Sequence, residues 1–174
     1  RIPMTADPDI HDSYLFDKKT NQRKLETVVD ACLDLGLYVI IDWHSHKAEN
    51  NETEAIVFFT EMAKKYGKHP NIIYEIYNEP LVVSWDDVIK PYAENVIAAI
   101  RKIDPDNIIV VGTPHWSQDV DDASNNPIKG YKNIAYTLHF YAASHKEWLM
   151  NKAQKAIDNG IALIVTEWGS VDAD

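Results

Sequence analysis

Six apolar stretches of this 174-residue chain give out on side chains able to do chemistry. The first carries Arg1. The second ends at Asp42-Trp43-His44-Ser45-His46, the third at Asn78-Glu79-Pro80, the fourth at Thr113-Pro114-His115-Trp116. The fifth ends at His139-Phe140-Tyr141 and the sixth at Glu167-Trp168. A lone glutamate at a strand end is ordinarily a solvated loop residue, and a lone histidine there a hydrogen-bonded structural one. Two glutamates, several imidazoles, an amide, a guanidinium and indoles at the same relative place on successive strands call for a different reading. Paired carboxyls can divide acid–base and nucleophilic work between them, provided the fold brings them to one spot.

The elements that must do this alternate along the chain. After the stub Arg1–Met4, the stretch 21–36 repeats apolar residues near a 3.6-residue period (Leu25, Val28, Val29, Cys32, Leu33, Leu35) and stops at Gly36, predicting a helix. Leu37–His44 is a β-branched run of the kind buried on both faces. Helices are expected over 51–67, with Ile56, Phe59 and Met62/Ala63 inward, over 84–104 with Ser84 as N-cap, and over 146–160. Pro91 must kink the second of these or lie in its first turns. Strands are expected over 71–79, 107–112, 133–141 and 161–169, with a short helix within 116–126. The phrases LDLGLYVIIDW and IDNGIALIVTEW form a weak repeat whose registers differ by one residue.

Strict strand–helix alternation predicts a parallel sheet. A doubly wound nucleotide-binding sheet would want a Gly-rich first turn, and this chain has six glycines and no G-x-G-x-x-G. Polar residues at the C-terminal ends of many strands fit a (β/α)8 barrel instead. The expected fold class is therefore α/β, a (β/α)8 TIM barrel that is incomplete, running from about strand two to strand seven, with residues 1–174 forming part of one domain. A net charge of −10 without Lys/Arg clusters argues against nucleic acid. No apolar run is long enough to span a bilayer, and no signal peptide is visible. The single Cys32 rules out an internal disulfide and reads as a small apolar residue.

YNEP (77–80), VTEWG (165–169), IIDWH (40–44) and LHFYA (138–142) resemble the motifs of glycoside hydrolase family 5, and within it the bacterial endo-β-1,4-glucanases. TPHWSQDVDDA (113–123), KPYAENVIAAIR (90–101) and DPDNIIVVG (104–112) resemble that group as well, so the likeness spans most of the chain. The resemblance implies a retaining, endo-acting hydrolase of β-1,4-glucan, with Glu79 as general acid/base and Glu167 as nucleophile, their carboxyls about 5–5.5 Å apart. It implies that Arg1 steadies the nucleophile and that Asn78 meets a sugar 2-OH. It also puts His139 and Tyr141 in the hydrogen-bond set around the two acids, His44 on a sugar at the cleavage site, and Trp116 flat against a pyranose. His46, His115 and Trp85 are further candidates for touching substrate. His11, His69 and His145 are assigned no catalytic part.

No cofactor or metal is expected, and the expected partner is a β-glucan polysaccharide or oligosaccharide. The resemblance and a polymeric substrate imply a secreted protein. The family's first and eighth strands lie outside this stretch, which leaves two open parallel edges and predicts either a piece of a longer catalytic domain or completion by another chain or copy. Two alternatives compete: a catalytically inactive carbohydrate-binding or self-associating module, and an amidohydrolase-type barrel using His44 and His46 on a divalent ion.

Overall fold

The computed structural model describes residues 1–173; Asp174, included in the expected domain, lies outside the described residues. Among the described residues six strands form one parallel sheet: β1 (Ile2–Thr5), β2 (Val39–His44), β3 (Ile72–Glu75), β4 (Ile108–Val111), β5 (Ile134–Tyr141) and β6 (Leu163–Gly169). They pair in chain order, β1-β2-β3-β4-β5-β6, and curl into a half-barrel. Helices α1 (Lys18–Asp34), α2 (Glu52–Tyr66), α3 (Lys90–Arg101), α5 (Val120–Asn125) and α6 (Glu147–Asp158) lie in the crossovers, with one additional turn, α4 (Pro114–Ser117). No helix among the described residues is long and apolar enough to cross a membrane.

Local chemistry explains the boundaries. Helix α1 starts before residue 21 because the Asp17 carboxylate accepts from Thr20 N at 3.0 Å, capping it. Gly36 and Gly160, at φ +69° and +87°, turn the chain out of α1 and α6. In both places the next residue closes the same six-residue loop, Leu37 N on Cys32 O and Ile161 N on Ala156 O. Ser84 does cap its helix, accepting from Asp87 N at 3.1 Å, and Pro91 sits in the first turn of α3. A π-helical turn, Trp85–Ile89, precedes it, so the expected single helix is two joined pieces.

Two expectations need correction. Arg1 does not end a strand: β1 begins at Ile2, directly after it, and only the length of its side chain carries the guanidinium up into the bowl. On α1 the apolar stripe is narrower than expected. Leu25 and Val29 are buried and Cys32 and Leu33 partly so, whereas Val28 and Leu35 are exposed, since α1 packs on the edge pair β1–β2.

Strand alternation sorts side chains into two worlds. Val39, Ile41 and Trp43 of β2 face the helices, where Trp43 joins Tyr14, Phe58 and Phe59 in a buried aromatic cluster with centroids 5.0–6.3 Å apart. The opposite face looks into the half-barrel and is layered. Its floor is apolar: Ile40, Ile73, Val110, Ala135 and Ile164. Above the floor lie Asp42, Glu75 and Thr137, all fully buried, with Thr166 beside them. The next layer reaches the mouth.

Candidate active site

One irregularity shapes that mouth. Between β5 and β6 the register runs Thr137↔Ile164, then His139↔Glu167, so β6 holds one extra residue there. This β-bulge lets two neighbours in sequence, Thr166 and Glu167, both turn inward. Thr166 Oγ1 bonds Glu75 below, while Glu167 receives Tyr141 Oη at 2.7 Å on Oε1 and Arg1 Nη1 at 3.0 Å on Oε2. The extra residue is the one by which the two copies of the sequence repeat differ in register.

Glu79 is delivered from the other side. Past β3 the chain stays extended, with Asn78 N on Trp43 O and Glu79 N on Ser45 O, both at 3.3 Å. Glycine is required opposite this segment: a Cβ on Gly112 would come within 2.4 Å of Tyr77 O and 2.8 Å of Pro80 Cδ. Pro80 O and Leu81 O then accept from Trp116 N at 2.8 Å and His115 N at 3.0 Å, and Ser117 Oγ donates to Asn78 O at 2.8 Å. Those donors come from α4, where His115, Trp116 and Ser117 have φ of 59°, 54° and 58°. Three consecutive left-handed residues without glycine are strained, roughly 1–2 kcal/mol each. Their backbone groups clamp the Asn78–Leu81 segment, and the turn holds Trp116 at the rim, 38% exposed.

The two carboxyls and His139 converge: each offers an atom within 4.8 Å of the others. They line an open cleft of about 520 Å³ shared with His46, His115, Trp116, Tyr141 and His145. Glu79 Oε1 meets His139 Nδ1 at 2.9 Å. Under the cleft Arg1 is the hub, with Nε on Glu75 at 2.7 Å, Nη2 on Asp42 at 3.1 Å and on Asn78 Oδ1, and Nη1 on Glu167. His44 Nδ1 lies 2.8 Å from Asp42 Oδ2, whose other oxygen is buried without a partner.

One guanidinium among three carboxylates leaves an excess of negative charge, and the protonation states respond. Burial pushes the Asp42 carboxyl up to about 6, with Glu75 adding to it against the relief from His44 and Arg1. The Asp42 hydrogen bond raises His44. Burial also works against the Arg1 charge, but Asp42 and Glu75 outweigh it and its proton is held more tightly than usual. Burial lifts Glu167, yet the Tyr141 hydrogen bond, with Arg1 and His44 close by, holds it below the usual carboxylate range. The same bond to Glu167 pushes the Tyr141 hydroxyl up to about 12.

A family model described as Cellulase (glycosyl hydrolase family 5) matches residues 1–174. The chain belongs to glycosyl hydrolase family 5. Within that family it is 66% identical over 161 residues to Endoglucanase Z of Dickeya dadantii, covering 92% of this chain and 38% of the relative. It is 50% identical over 164 residues to an endoglucanase of Clostridium saccharobutylicum, covering 92% and 36%. It thus spans well under half the length of these curated relatives. Among solved structures, one from Cytophaga hutchinsonii superposes with a TM-score of 0.94 at 56% identity, covering 98% of this chain and 55% of that one. The catalytic domain of Thermobifida fusca endoglucanase Cel5A in complex with cellotetraose gives 0.87 at 35%, covering 97% and 56%.

Against this family frame the expected site residues fall into groups. Glu79, His139, Tyr141 and Glu167 meet in the cleft, Arg1 and Asn78 lie beneath it, and His44 flanks them, half-buried. Trp116, His46 and His115 stand at the rim, His46 Nδ1 being 3.0 Å from Glu79 O. Trp85 does not reach the cleft. It is buried against Tyr136, with its indole N–H donating to Asn126 O at 2.9 Å. His145, assigned no part, lines the cleft and accepts Tyr141 N at 2.7 Å. Its trace in the sequence is its place four residues after Tyr141. Glu75 and Thr166 were not singled out at all, and Asp42 was named only as the residue on which its strand ends, with no role. Among the described residues, three side chains whose ligand atoms converge closely enough to share a metal ion are Glu79, His139 and Glu167, a set that includes neither His44 nor His46.

Proposed function

We propose that this chain carries the working half of a retaining endo-β-1,4-glucanase, acting outside the cell on cellulose or related β-glucans. The approach of Glu79 and Glu167 supports this most directly. Carboxylate oxygens within 4.8 Å of each other match the close pair of a retaining enzyme, about 5–5.5 Å apart, rather than the roughly 6.5–9.5 Å of an inverting one, and suit direct attack on an anomeric carbon. In the first half-reaction a Glu167 oxygen bonds to that carbon while Glu79 passes its proton to the departing glycosidic oxygen. In the second, Glu79 takes a proton from water, which attacks the same carbon and releases Glu167. Arg1 and Tyr141 hold the attacking carboxylate ionised and aimed. The Asn78 oxygen is occupied by Arg1, which leaves its NH2 for a sugar 2-OH, and Trp116 offers a flat apolar face to a ring.

The cellotetraose complex of the Thermobifida relative supports a β-glucan ligand. The free edges of β1 and β6 support pairing with further polypeptide in the working enzyme. The test is release of reducing ends from carboxymethylcellulose by the parent, Glu79→Gln and Glu167→Gln. Each substitution is expected to cost at least about 10²–10⁴-fold; activity that survives either one removes the mechanism. An inactive parent that still pulls down with insoluble cellulose would favour the binding-module reading, which the half-exposed position of Glu167 on an edge strand supports.

A further inference from the structure

Beneath the acid pair, Glu75 is fully buried and both of its oxygens are engaged. Oε2 faces Arg1 Nε at 2.7 Å, and Oε1 faces the hydroxyls of Thr166 at 2.5 Å and Thr137 at 3.4 Å. The Thr166 hydroxyl also lies 2.8 Å from His139 Nε2, and His139 Nδ1 lies 2.9 Å from Glu79 Oε1. An unbroken line of hydrogen bonds therefore runs from Glu75 through Thr166 and His139 to Glu79.

Protons along such a line are countable, because each bond needs one and a hydroxyl has only one to give. A guanidinium N–H and two hydroxyls converge on Glu75, the pattern of a carboxylate that only accepts. Thr166 then spends its proton on Glu75 and can only accept from His139, so Nε2 carries hydrogen. An imidazole whose single hydrogen is on Nε2 is bare at Nδ1, and the hydrogen between Nδ1 and Glu79 Oε1 is then Glu79's own; an imidazolium would leave Glu79 ionised and unable to serve as the acid. We propose that Glu75 is a positioning residue which, through Thr166, sets His139 in the Nε2–H form and thereby keeps a proton on Glu79.

This rests on the reading of Glu79 as the acid. Turnover leaves the count unchanged, since Glu79 gives this proton to the leaving oxygen and regains one from the attacking water. The bulge in β6 makes the line possible: without the extra residue Thr166 and Glu167 could not both face inward.

The test needs no catalysis. Two-bond ¹H–¹⁵N correlation spectra of the parent chain, with His139 assigned by the signal lost in His139→Gln, report which ring nitrogen is protonated. Nε2–H alone is expected at neutral pH; a bare Nε2, or hydrogen on both nitrogens, overturns the proposal. In Glu75→Gln, Arg1 demands the amide oxygen, so the NH2 turns to Thr166. Thr166 must then donate to Nε2, and the hydrogen moves completely to Nδ1. An unchanged Nε2–H form would remove Glu75 from the role. Should Glu75→Gln not fold, Thr166→Val is expected to abolish the single tautomer and Thr166→Ser to retain it; a single Nε2–H form in Thr166→Val overturns the proposal. The glutamate-to-glutamine activity assays judge the hydrolase reading separately.

Discussion

The two copies of the repeated phrase meet opposite fates. In LDLGLYVIIDW, strand β2 has a partner on each side, Trp43 is completely buried and Asp42 is sealed under the cleft. In IDNGIALIVTEW, strand β6 pairs only with β5 among the described residues, Trp168 is 66% exposed and Glu167 keeps a face toward solvent. Both begin with the same glycine turn off a helix. What separates them is the number of neighbours and one inserted residue. The interior copy becomes scaffold, whereas the edge copy, bulged and half-open, presents a carboxylate to the cleft.

The largest test of this contrast is to truncate both indoles. Trp43→Ala should cost about 3–5 kcal/mol in urea unfolding, while Trp168→Ala in the same chain should stay within about 0.5 kcal/mol. Equal costs would break the comparison. The two acids come next. Asp42, pushed up to about 6 from 3.8, binds its proton more tightly in the folded state than in the unfolded one. The stability this confers is full below about pH 4 and is lost as pH rises through 6, a change on the order of 3 kcal/mol. Asp42→Asn should flatten the plot of urea midpoint against pH over that window. Glu167 has the opposite sign: held below its ordinary 4.5, it contributes stability that is present above that value and lost on acidification. An Asp42→Asn curve that overlays the parent would mean the two acids do not differ in this way. The smallest effect concerns the strained rim. His115→Gly at φ 59° should raise the thermal midpoint, by up to about 1 kcal/mol in stability, and leave the fold unchanged by circular dichroism.

Much of this architecture was legible because its signals are local. Gly36 and Gly160 mark helix ends by their freedom at positive φ, and β-branched runs closing on polar residues mark strand ends. The buried layer was not. Glu75 sits inside an apolar run and Asp42 at the end of one, and nothing in their neighbours tells an acid that reaches Arg1 from one that reaches water. Trp85, a further candidate for touching substrate, is buried instead because its N–H has a carbonyl partner 41 residues away, which no local pattern announces. The left-handed path of His115 to Ser117 has no compositional mark, since no glycine announces it. The bulge had one, the single-residue offset between the repeats, which acquires meaning only when pairing is known.

Gly112 carries a consequence for how such a cleft can diversify. With the Tyr77 carbonyl 2.4 Å from where a methyl would begin, even alanine would force apart the backbones that hold Glu79 at its depth. The rim side chains, by contrast, are part-exposed, His46 to 46% and His115 to 44%, so that exchanging one removes a side chain without moving two backbones. Ancestral and laboratory lineages should therefore vary more at rim positions such as His46 and His115 than at position 112, which stays frozen, blocked by a space already filled.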